Sequence, residues 1–502
     1  MNRRKFLAAS TAFTVPLMLN GFGLKAMTRQ SALVQSLMQS GAANTDRVLV
    51  IVHLNGGNDG LNTVIPLDQL ATYNSLRSNI ALPQNSLLTL QGNDKMAFHP
   101  AMTGLRNLYN DGRLTVINSV SYPNPDQSHF RSTDIWMTAA DADVSLPTGW
   151  AGRYLEDRYP GYPVGYPNVQ MEDPIAVQIG YLTSTTLLGS QQSMGVAIND
   201  PEAFYRLVGA GEPISPNDVP AGDAGALISF VRMQQALAVG YAGEIKNAFD
   251  AGQTLSTYPT PNANSLADQL KIVARLIHGG LKTKIFFVAL GGFDTHSGQI
   301  LNGNPLTGEH ASLLGKVSDG IYSFQEDLRL QGNQDRVVGM TFSDFGRRAN
   351  SNASSGTDHG VAAPQFVFGS AVRHQVIGIN PNLSDLIESY GGNKDIKMQI
   401  DFRRIYADVL NDWFGAGRSK TDTLLLKNFP TVSLFSDVCE TVASGPWSSP
   451  ATWTVGRVPL PNERIRVNAG HQINLANTVT VRSAQMYGTV KYAPGSRIRI
   501  TG

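Results

Sequence analysis

The stretch RVLVIVHLNGGNDGLN (Arg47–Asn62) decides the fold of this chain. Its first half is an unbroken apolar run, Val48–Leu54, and its second half breaks into Gly, Asn and Asp. A continuous apolar run of this length predicts a strand that is buried on both faces. The polar residues that follow predict a loop at the carboxyl end of that strand.

The same pattern returns three times further along the chain. An apolar run passes into polar residues at Leu114–Val120, Lys284–Leu290 and Arg336–Phe342. Stretches with helical spacing separate the runs, such as AMTGLRNLYNDG, SHFRSTDIWMTAA and SLADQLKIVARLIHGG. Strands that alternate with helices predict an α/β fold with a mainly parallel sheet covered on both faces.

The composition supports a folded protein and excludes several classes of function. The chain has 502 residues, 42% of them hydrophobic, with 40 Lys and Arg against 39 Asp and Glu. A net charge of +1 without a basic stripe gives no electrostatic footprint for nucleic acid. The single cysteine, Cys439, excludes an internal disulfide framework and a thiolate zinc site.

The first 26 residues predict an export signal. Arg3 and Arg4 precede a modest apolar stretch, which resembles a bacterial twin-arginine (Tat) signal and predicts a periplasmic or extracellular protein exported by the Tat translocase. The alternative is a transmembrane anchor, but Pro16 and Asn20 make the stretch short and weak for a bilayer span. We expect no transmembrane segment in the mature form.

The remainder of the chain divides into an α/β domain over residues 45–440 and a small β module over 446–502. Residues 151–270 are rich in Pro, Gly and Tyr and are interpreted as insertions with some helices. In the tail, apolar and polar residues alternate between Gly and Asn turns, which predicts short strands. The tail resembles the opening of the eight-glycine domain of extracellular proteins, which implies a β-helix; a final sheet packed on the main domain is the alternative.

Each apolar run ends in residues of metal-binding type. These candidates are Asn58, Asp59, Ser128, His129, Asp294, His296 and Asp344, with His359 in a Gly-rich loop. Ligands of an open α/β sheet bind beyond the carboxyl ends of its strands, so we expect these side chains to converge. Carboxylates and imidazoles that converge without matching Lys or Arg would repel one another, and a divalent cation is the simplest remedy. Zn, Mn, Mg or Ca suits oxygen and nitrogen ligands, and the histidines favour a transition metal.

Every candidate also has an ordinary structural explanation. Asp59 is suited to a turn and Ser128 to an N-cap. Asp344 is suited to a helix cap or to an ion pair with Arg347 or Arg348. Asp294 and His296 are suited to a hydrogen-bonded loop pair. The remaining histidines are interpreted as structural, namely His53, His99, His278, His310 and His374. The occurrence of these residues together at the ends of several strands, and no single residue, predicts a metal site.

Six motifs in order carry a resemblance to a known family. They are VHLNGGNDGLNTVIP, PDQSHFRSTDIWMTA, GGFDTHSGQ, TFSDFGRR, GTDHGVAAPQFVFGSAV and DFRRIYADVLNDWFG. Over residues 45–415 the chain resembles the exported bacterial proteins grouped as domain of unknown function 1501. That family is similar in fold to the alkaline phosphatase superfamily, which includes sulfatases. The resemblance implies a doubly wound α/β sheet with a two-metal site at the strand ends.

The resemblance also implies roles for individual residues. Asp59 stands where the superfamily has its first metal-bridging acid, and Ser128 where a nucleophilic serine opens a helix. Asp294 and His296 look like the pair that binds one metal, and His359 like the late histidine that completes a metal site. Asp344 matches the acid of the Asp-His pair for the other metal.

Two departures from the family pattern leave two hypotheses open. Only Thr295 separates Asp294 from His296, and Phe345 stands where a second-metal histidine is expected, for which Asp358 is the candidate replacement. The first hypothesis is an exported metal-dependent hydrolase of phosphate or sulfate esters with Ser128 as nucleophile. The second is a catalytically degenerate protein that acts in binding or assembly at the cell surface through its β module.

Overall fold

The computed structural model describes residues 17–19, 22–24, 46–169, 171–190, 192–208, 219–220, 222–389, 393–435, 439–454, 457–459, 461, 463–481 and 483–500. Of the export signal predicted over residues 1–26, only Leu17–Leu19 and Phe22–Leu24 are described, as an antiparallel pair of strands. The rest of that prediction lies outside the described residues. Residues 1–46 and 47–502 form separate compact units.

A nine-stranded sheet is the centre of the second unit. Its strands are β1 (Val48–Leu54), β2 (Leu114–Ser121), β3 (Ala176–Ile179), β4 (Val196–Ile198), β5 (Ile285–Leu290), β6 (Val337–Ser343), β7 (Ala363–Phe368), β8 (Gln375–Ile377) and β9 (Ile400–Asp401). Their spatial order is β8-β2-β7-β6-β1-β5-β3-β4, and β9 also pairs with β2. All pairings are parallel except those of β7, which runs antiparallel to both neighbours. The predicted mainly parallel sheet is therefore confirmed, and all four predicted strands lie in it.

The sheet is covered on both faces. Every residue of β1 and of β6 is buried, and alternate residues of a strand point to opposite faces. The α-helices are α1 (Leu70–Leu76), α2 (Thr103–Asn110), α3 (His129–Thr138), α4 (Trp150–Arg158), α5 (Pro201–Val208), α6 (Asp223–Ala251), α7 (Ser265–His278), α8 (Glu309–Leu330), α9 (Phe402–Asp408) and α10 (Arg418–Leu424). No helix among the described residues is both long enough and apolar enough to cross a bilayer.

Two strands of the sheet come from residues 151–270, which the sequence analysis interpreted as insertions with some helices. Ala176–Ile179 pairs in parallel with β5, and Val196–Ile198 extends the sheet by one further strand. The same region supplies α4, α5 and the 29-residue α6. Small antiparallel pairings lie outside the central sheet, among them Val64–Pro66 with Asn93–Phe98 and Gly346–Arg347 with His359–Gly360.

The tail forms stacked coils of parallel strands. Its strands are β10 (Cys439–Glu440), β11 (Gly445–Pro446), β12 (Arg464–Val467), β13 (Gln472–Leu475), β14 (Val479–Val481), β15 (Ser483–Met486), β16 (Thr489–Tyr492) and β17 (Ile498–Ile500). They pair as β10-β12-β15, β11-β13-β16 and β14-β17, always in parallel. Three parallel sheets built from successive coils are the arrangement of a β-helix. Its core contains Cys439, Trp453 and Ile465.

Candidate functional site: a histidine cluster at the strand ends

The candidate site lies where three adjacent parallel strands end. In the order β6-β1-β5, each strand pairs in parallel with the next, so their carboxyl ends lie side by side. The loop after β5 carries Asp294 and His296, and the residue after β6 is Asp344. Gly56, after β1, has φ +121°, and a Cβ there would lie 2.4 Å from the backbone nitrogen of Asp294. Glycine therefore allows two of these loops to touch.

One carboxylate oxygen is the meeting point of the site. Asp294 Oδ1 lies 3.2 Å from His296 Nε2, 3.3 Å from His359 Nε2 and 3.5 Å from His129 Nε2. We call these four residues the Asp294 cluster. Arg347 Nη2 donates to the same oxygen at 2.6 Å. Partial burial opposes ionisation of Asp294, but Arg347 outweighs it and lowers the pKa of Asp294 to about 2.

Each imidazole of the Asp294 cluster is oriented by an acceptor at its Nδ1. The pairs are His129 with Asp344 Oδ2 at 2.7 Å, His296 with Asp358 Oδ1 at 3.0 Å, and His359 with the Gln127 carbonyl at 2.8 Å. A carbonyl or an ionised carboxylate only accepts hydrogen bonds, so each neutral ring carries its proton on Nδ1. The three Nε2 lone pairs are then presented to the centre of the cluster. Metal-binding histidines are oriented in the same way.

The close spacing of these nitrogens is suited to a positive charge between them. His296 Nε2 and His359 Nε2 are 2.9 Å apart, and His129 Nε2 is buried without a hydrogen-bond partner. Burial and the charge of Arg347 lower the pKa of His359, which disfavours a proton on that ring. A divalent cation fits the donor set. His129, Asp294 and His359 each place one ligand atom within 4.8 Å of the others, which is close enough to share one ion.

Asp344 lies behind the cluster. It is fully buried, and its two oxygens accept from His53 Nε2 at 2.9 Å, from His129 Nδ1 at 2.7 Å and from the Gly56 backbone at 3.0 Å. Burial would raise the pKa of Asp344, but its bonds to the two histidines lower it. The sequence analysis interpreted His53 as structural, whereas in the structure His53 is a hydrogen-bond partner of Asp344.

Asp59 and Asn58 lie in a buried network beside the site. Asp59 Oδ2 accepts from Arg77 Nη1 and from Gln299 Nε2, both at 2.6 Å. Burial opposes ionisation of Asp59, but Arg77 lowers its pKa. Asn58 Oδ1 faces His310 Nε2 at 3.1 Å. The expectation that the acids converge without matching cations is wrong, because buried arginines pair with both Asp59 and Asp294.

Gln299 is a site residue that the sequence analysis missed, and Arg347, considered there only as an ion-pair partner of Asp344, pairs with Asp294 instead. Arg347 is fully buried and donates to the carbonyl oxygens of Gly57 and Thr357 as well as to Asp294. Gln299 Oε1 accepts from Thr295 Oγ1 at 3.3 Å and from Thr357 Oγ1 at 3.0 Å. Both side chains therefore join the loops that carry the cluster. The only signal in the sequence was their position inside two of the quoted motifs.

Ser128 is adjacent in sequence to a residue of the Asp294 cluster, and the ring of Phe345 borders the cluster. Ser128 is the N-cap residue of α3 in extended conformation, is exposed, and its side chain makes no capping bond. It directly precedes His129. Phe345, which replaces an expected histidine, is buried with its ring 4.5 Å from that of His359 and 4.7 Å from that of His129. An apolar ring therefore occupies the side of the cluster where a second-metal ligand was expected.

A cleft of about 450 Å³ opens beside the cluster. Its lining is His129, Phe130, Thr133, Asp134 and Met137 from α3, Asn55 and Gly56 after β1, Gly292 and Asp294 after β5, and Thr185. The volume is typical of a small-molecule site. The cluster is thus accessible from solvent.

Comparisons with known proteins give a match to one family model over part of the chain and a group of similar structures. The family model described as "Protein of unknown function (DUF1501)" matches residues 223–424. No curated protein matches.

Three solved structures are similar to the chain at low identity. A protein in the alkaline phosphatase superfamily from Vibrio parahaemolyticus has 11% identity and a TM-score of 0.31, and the match covers 67% of this chain and 64%, slightly less than two thirds, of that one. A sulfatase from Pseudoalteromonas sp. has 9% identity and a TM-score of 0.31, with 79% and 75% of the two chains covered. A zinc complex of the periplasmic domain of EptC from Escherichia coli has 13% identity and a TM-score of 0.30, with 66% and 74% covered. The predicted resemblance to the DUF1501 family is confirmed by the family model over residues 223–424.

Proposed function

We propose that this protein is an exported metal-dependent hydrolase of phosphate or sulfate esters. The observation that carries the proposal is the Asp294 cluster, in which three oriented imidazoles present their Nε2 atoms to one carboxylate. His129, His296 and His359 with Asp294 would hold one divalent ion, and this donor set favours zinc or another first-row transition metal over Mg or Ca.

In this proposal residues of the chain orient the substrate, and Ser128 is the nucleophile. A bound ion supplies Lewis-acid polarisation of an ester oxygen. The Ser128 hydroxyl is next to His129 and at the amino end of α3, where backbone N–H groups and the helix dipole favour the negative charge of a phosphate or sulfate group. In the proposed reaction the Ser128 oxygen attacks the phosphorus or sulfur, the bond to the alcohol oxygen breaks, and the alcohol leaves with the proton that the serine gives up. Water then hydrolyses the seryl ester, which releases phosphate or sulfate and restores the hydroxyl.

We propose one ion rather than the two implied by the superfamily. The carboxylate of Asp344 is committed to His53 and His129, and Asp59 is paired with Arg77. Asp344 and Asp358 then act as positioning residues, because each fixes the orientation of one histidine ring.

Export remains part of the proposal. The Arg3-Arg4 pair ahead of an apolar stretch supports export through the Tat translocase, with the protein acting in the periplasm or at the cell surface. Folding before export would allow the ion to be bound first.

Metal content and turnover test the hydrolase directly. We expect about one zinc or manganese per chain in purified protein, hydrolysis of an aryl phosphate or aryl sulfate, loss of the metal in His359→Ala and loss of turnover with retained metal in Ser128→Ala. His278→Ala, which changes a histidine outside the Asp294 cluster, is the matched control and should retain both. Metal-free protein of undiminished stability, with no hydrolysis from pH 5 to pH 10, would refute the proposal.

The second candidate is a degenerate protein that acts through its tail. By strand register, Met486, Tyr492 and Ile500 of the last coil follow the buried Val467, Leu475 and Val481 of the preceding coil. The first three are 42%, 54% and 59% exposed. Uncovered side chains at core positions favour association with another strand or coil. Stoichiometric metal in the purified protein separates the hydrolase from this candidate.

A further inference from the structure

The wall of the cleft beside the Asp294 cluster is one face of α3. Phe130, Thr133, Asp134 and Met137 all line the cleft, and their spacing of i, i+3, i+4 and i+7 places them on one side of the helix. Phe130 immediately follows His129. From Phe130 to Met137 the helix rises by about 10 Å. The wall therefore begins at the cluster and leads away from it with an apolar side chain at either end.

The phenyl ring of Phe130 is left uncovered by the protein. It is 92% exposed, the highest exposure among the large hydrophobic residues of the described part of the chain. Gly56 and Gly292 lie among the other lining residues and have no side chains. A ring or other apolar group that enters the cleft can therefore approach the helix without meeting a bulky side chain at these positions.

The charges on the wall oppose a second anionic group. Among the described residues that line the cleft there is no Lys or Arg, and the acids are Asp134 and Asp294. Arg131 pairs with Asp134 but does not line the cleft. The proposed ion would compensate the charge of an anion bound at the Asp294 cluster. An anion further along the wall would lie near Asp134, and no cationic side chain among the described lining residues would compensate its charge.

We propose that the natural substrate carries a single anionic ester group on a neutral, apolar, ring-bearing body that lies along α3 between Phe130 and Met137. This inference rests on the proposed function and adds the substrate class to it. Phe130 contributes by contact with the ring, and Asp134 excludes bodies that carry further negative charge, such as nucleotides or polyanionic glycans. Phe130 and Asp134 are thus specificity-determining residues.

Calorimetric binding of two phosphonates to the zinc-loaded full-length protein tests the inference without turnover. We expect phenylphosphonate to bind about tenfold more tightly than methylphosphonate, a difference typical of one aromatic contact. In Phe130→Ala the ratio should fall to about two or less, and in Phe130→Tyr it should be retained. Tyr487→Ala, which removes a 65% exposed aromatic ring from the tail, is the matched control and should keep the wild-type ratio.

A charged probe tests the role of Asp134. Adding a para-carboxylate to phenylphosphonate should weaken binding by about tenfold, and Asp134→Asn should recover most of that loss. Equal binding of phenylphosphonate and methylphosphonate to the wild type, or a ratio that Phe130→Ala leaves unchanged, would overturn the inference while the hydrolase stands. If neither phosphonate binds, the proposed function fails, and this inference with it.

Discussion

Replacing Asp344 by asparagine removes a charge from behind the Asp294 cluster without removing a proposed ligand. The carboxylate is fully buried and accepts hydrogen bonds from His53, His129 and the backbone of Gly56. Asparagine has nearly the same shape, but it offers one oxygen and no charge. The bond that fixes the ring of His129 is therefore weakened or lost.

The size of the effect follows from the bonds that change. A hydrogen bond to a charged group contributes about 1.5–3 kcal/mol, whereas a neutral one contributes about 0.5–1.5 kcal/mol. Weakening the bond to His129 alone should thus cost about 1.4 kcal/mol of metal-binding free energy, which is tenfold in affinity. Loss of such a partner of a metal-binding histidine typically lowers metal affinity by about 10- to 100-fold, which agrees with this value.

Competition with a chromogenic chelator measures zinc affinity, and urea unfolding of the metal-free protein measures stability. Asp327→Asn is the matched control, because Asp327 is also fully buried and accepts two backbone hydrogen bonds, from Leu255 and Ser256. We expect the control to lose stability at unchanged zinc affinity. If Asp344→Asn folds and binds zinc as tightly as the wild type, Asp344 does not orient His129 and the reasoning is refuted.

Three further predictions test the surroundings of the cluster. Arg77→Met should lower the free energy of unfolding by about 3–5 kcal/mol in urea, because it leaves the buried Asp59 without a counter-charge, and adding Asp59→Asn should recover part of the loss. Burial lowers the pKa of His310 to about 4, so the unfolded state takes up a proton first; the contribution of neutral His310 to stability, present above pH 6.5, should fall by about 3 kcal/mol as the pH drops to 4, and His310→Gln should remove that part of the slope. Gly56→Ala should weaken zinc binding, because the added Cβ would clash with the loop that carries Asp294. Gly92→Ala is the control, since Gly92 also has positive φ but has no atom within 4 Å of the added Cβ. Equal zinc affinities of Gly56→Ala and the wild type would argue against the close approach of the two loops.

The long strands were predictable and the short ones were not. Val48–Leu54 and Val337–Ser343 are continuous apolar runs, buried at every residue, and the sequence pattern specifies them directly. Ala176–Ile179 and Val196–Ile198 have four and three residues and lie among Pro and Gly. Runs this short have no periodicity of their own, since only their pairing with β5 and with each other makes them strands.

The position of the site was predictable, but the partners of its acids were not. Strand topology alone brings Asp294 and His296 to one edge of the sheet, and the structure places His359, which the sequence analysis put in a Gly-rich loop, beside them. His53 and Asp344 are 291 residues apart, and their contact depends on the register between two neighbouring strands. No local pattern distinguishes an arginine that will be buried against a carboxylate from one that will lie in solvent.

The charge balance around the Asp294 cluster favours one ion over two. With neutral histidines, the site and its surroundings contain four carboxylates and three arginines. The pairs are Asp59 with Arg77, Asp294 with Arg347, and Asp358 with Arg348, and Asp344 remains without an arginine. The net charge of this group is therefore −1, and one divalent ion changes it to +1, whereas two would change it to +3. Because the three arginines already balance three of the four carboxylates, they take the electrostatic role that a second metal has in a site built only from acids and imidazoles.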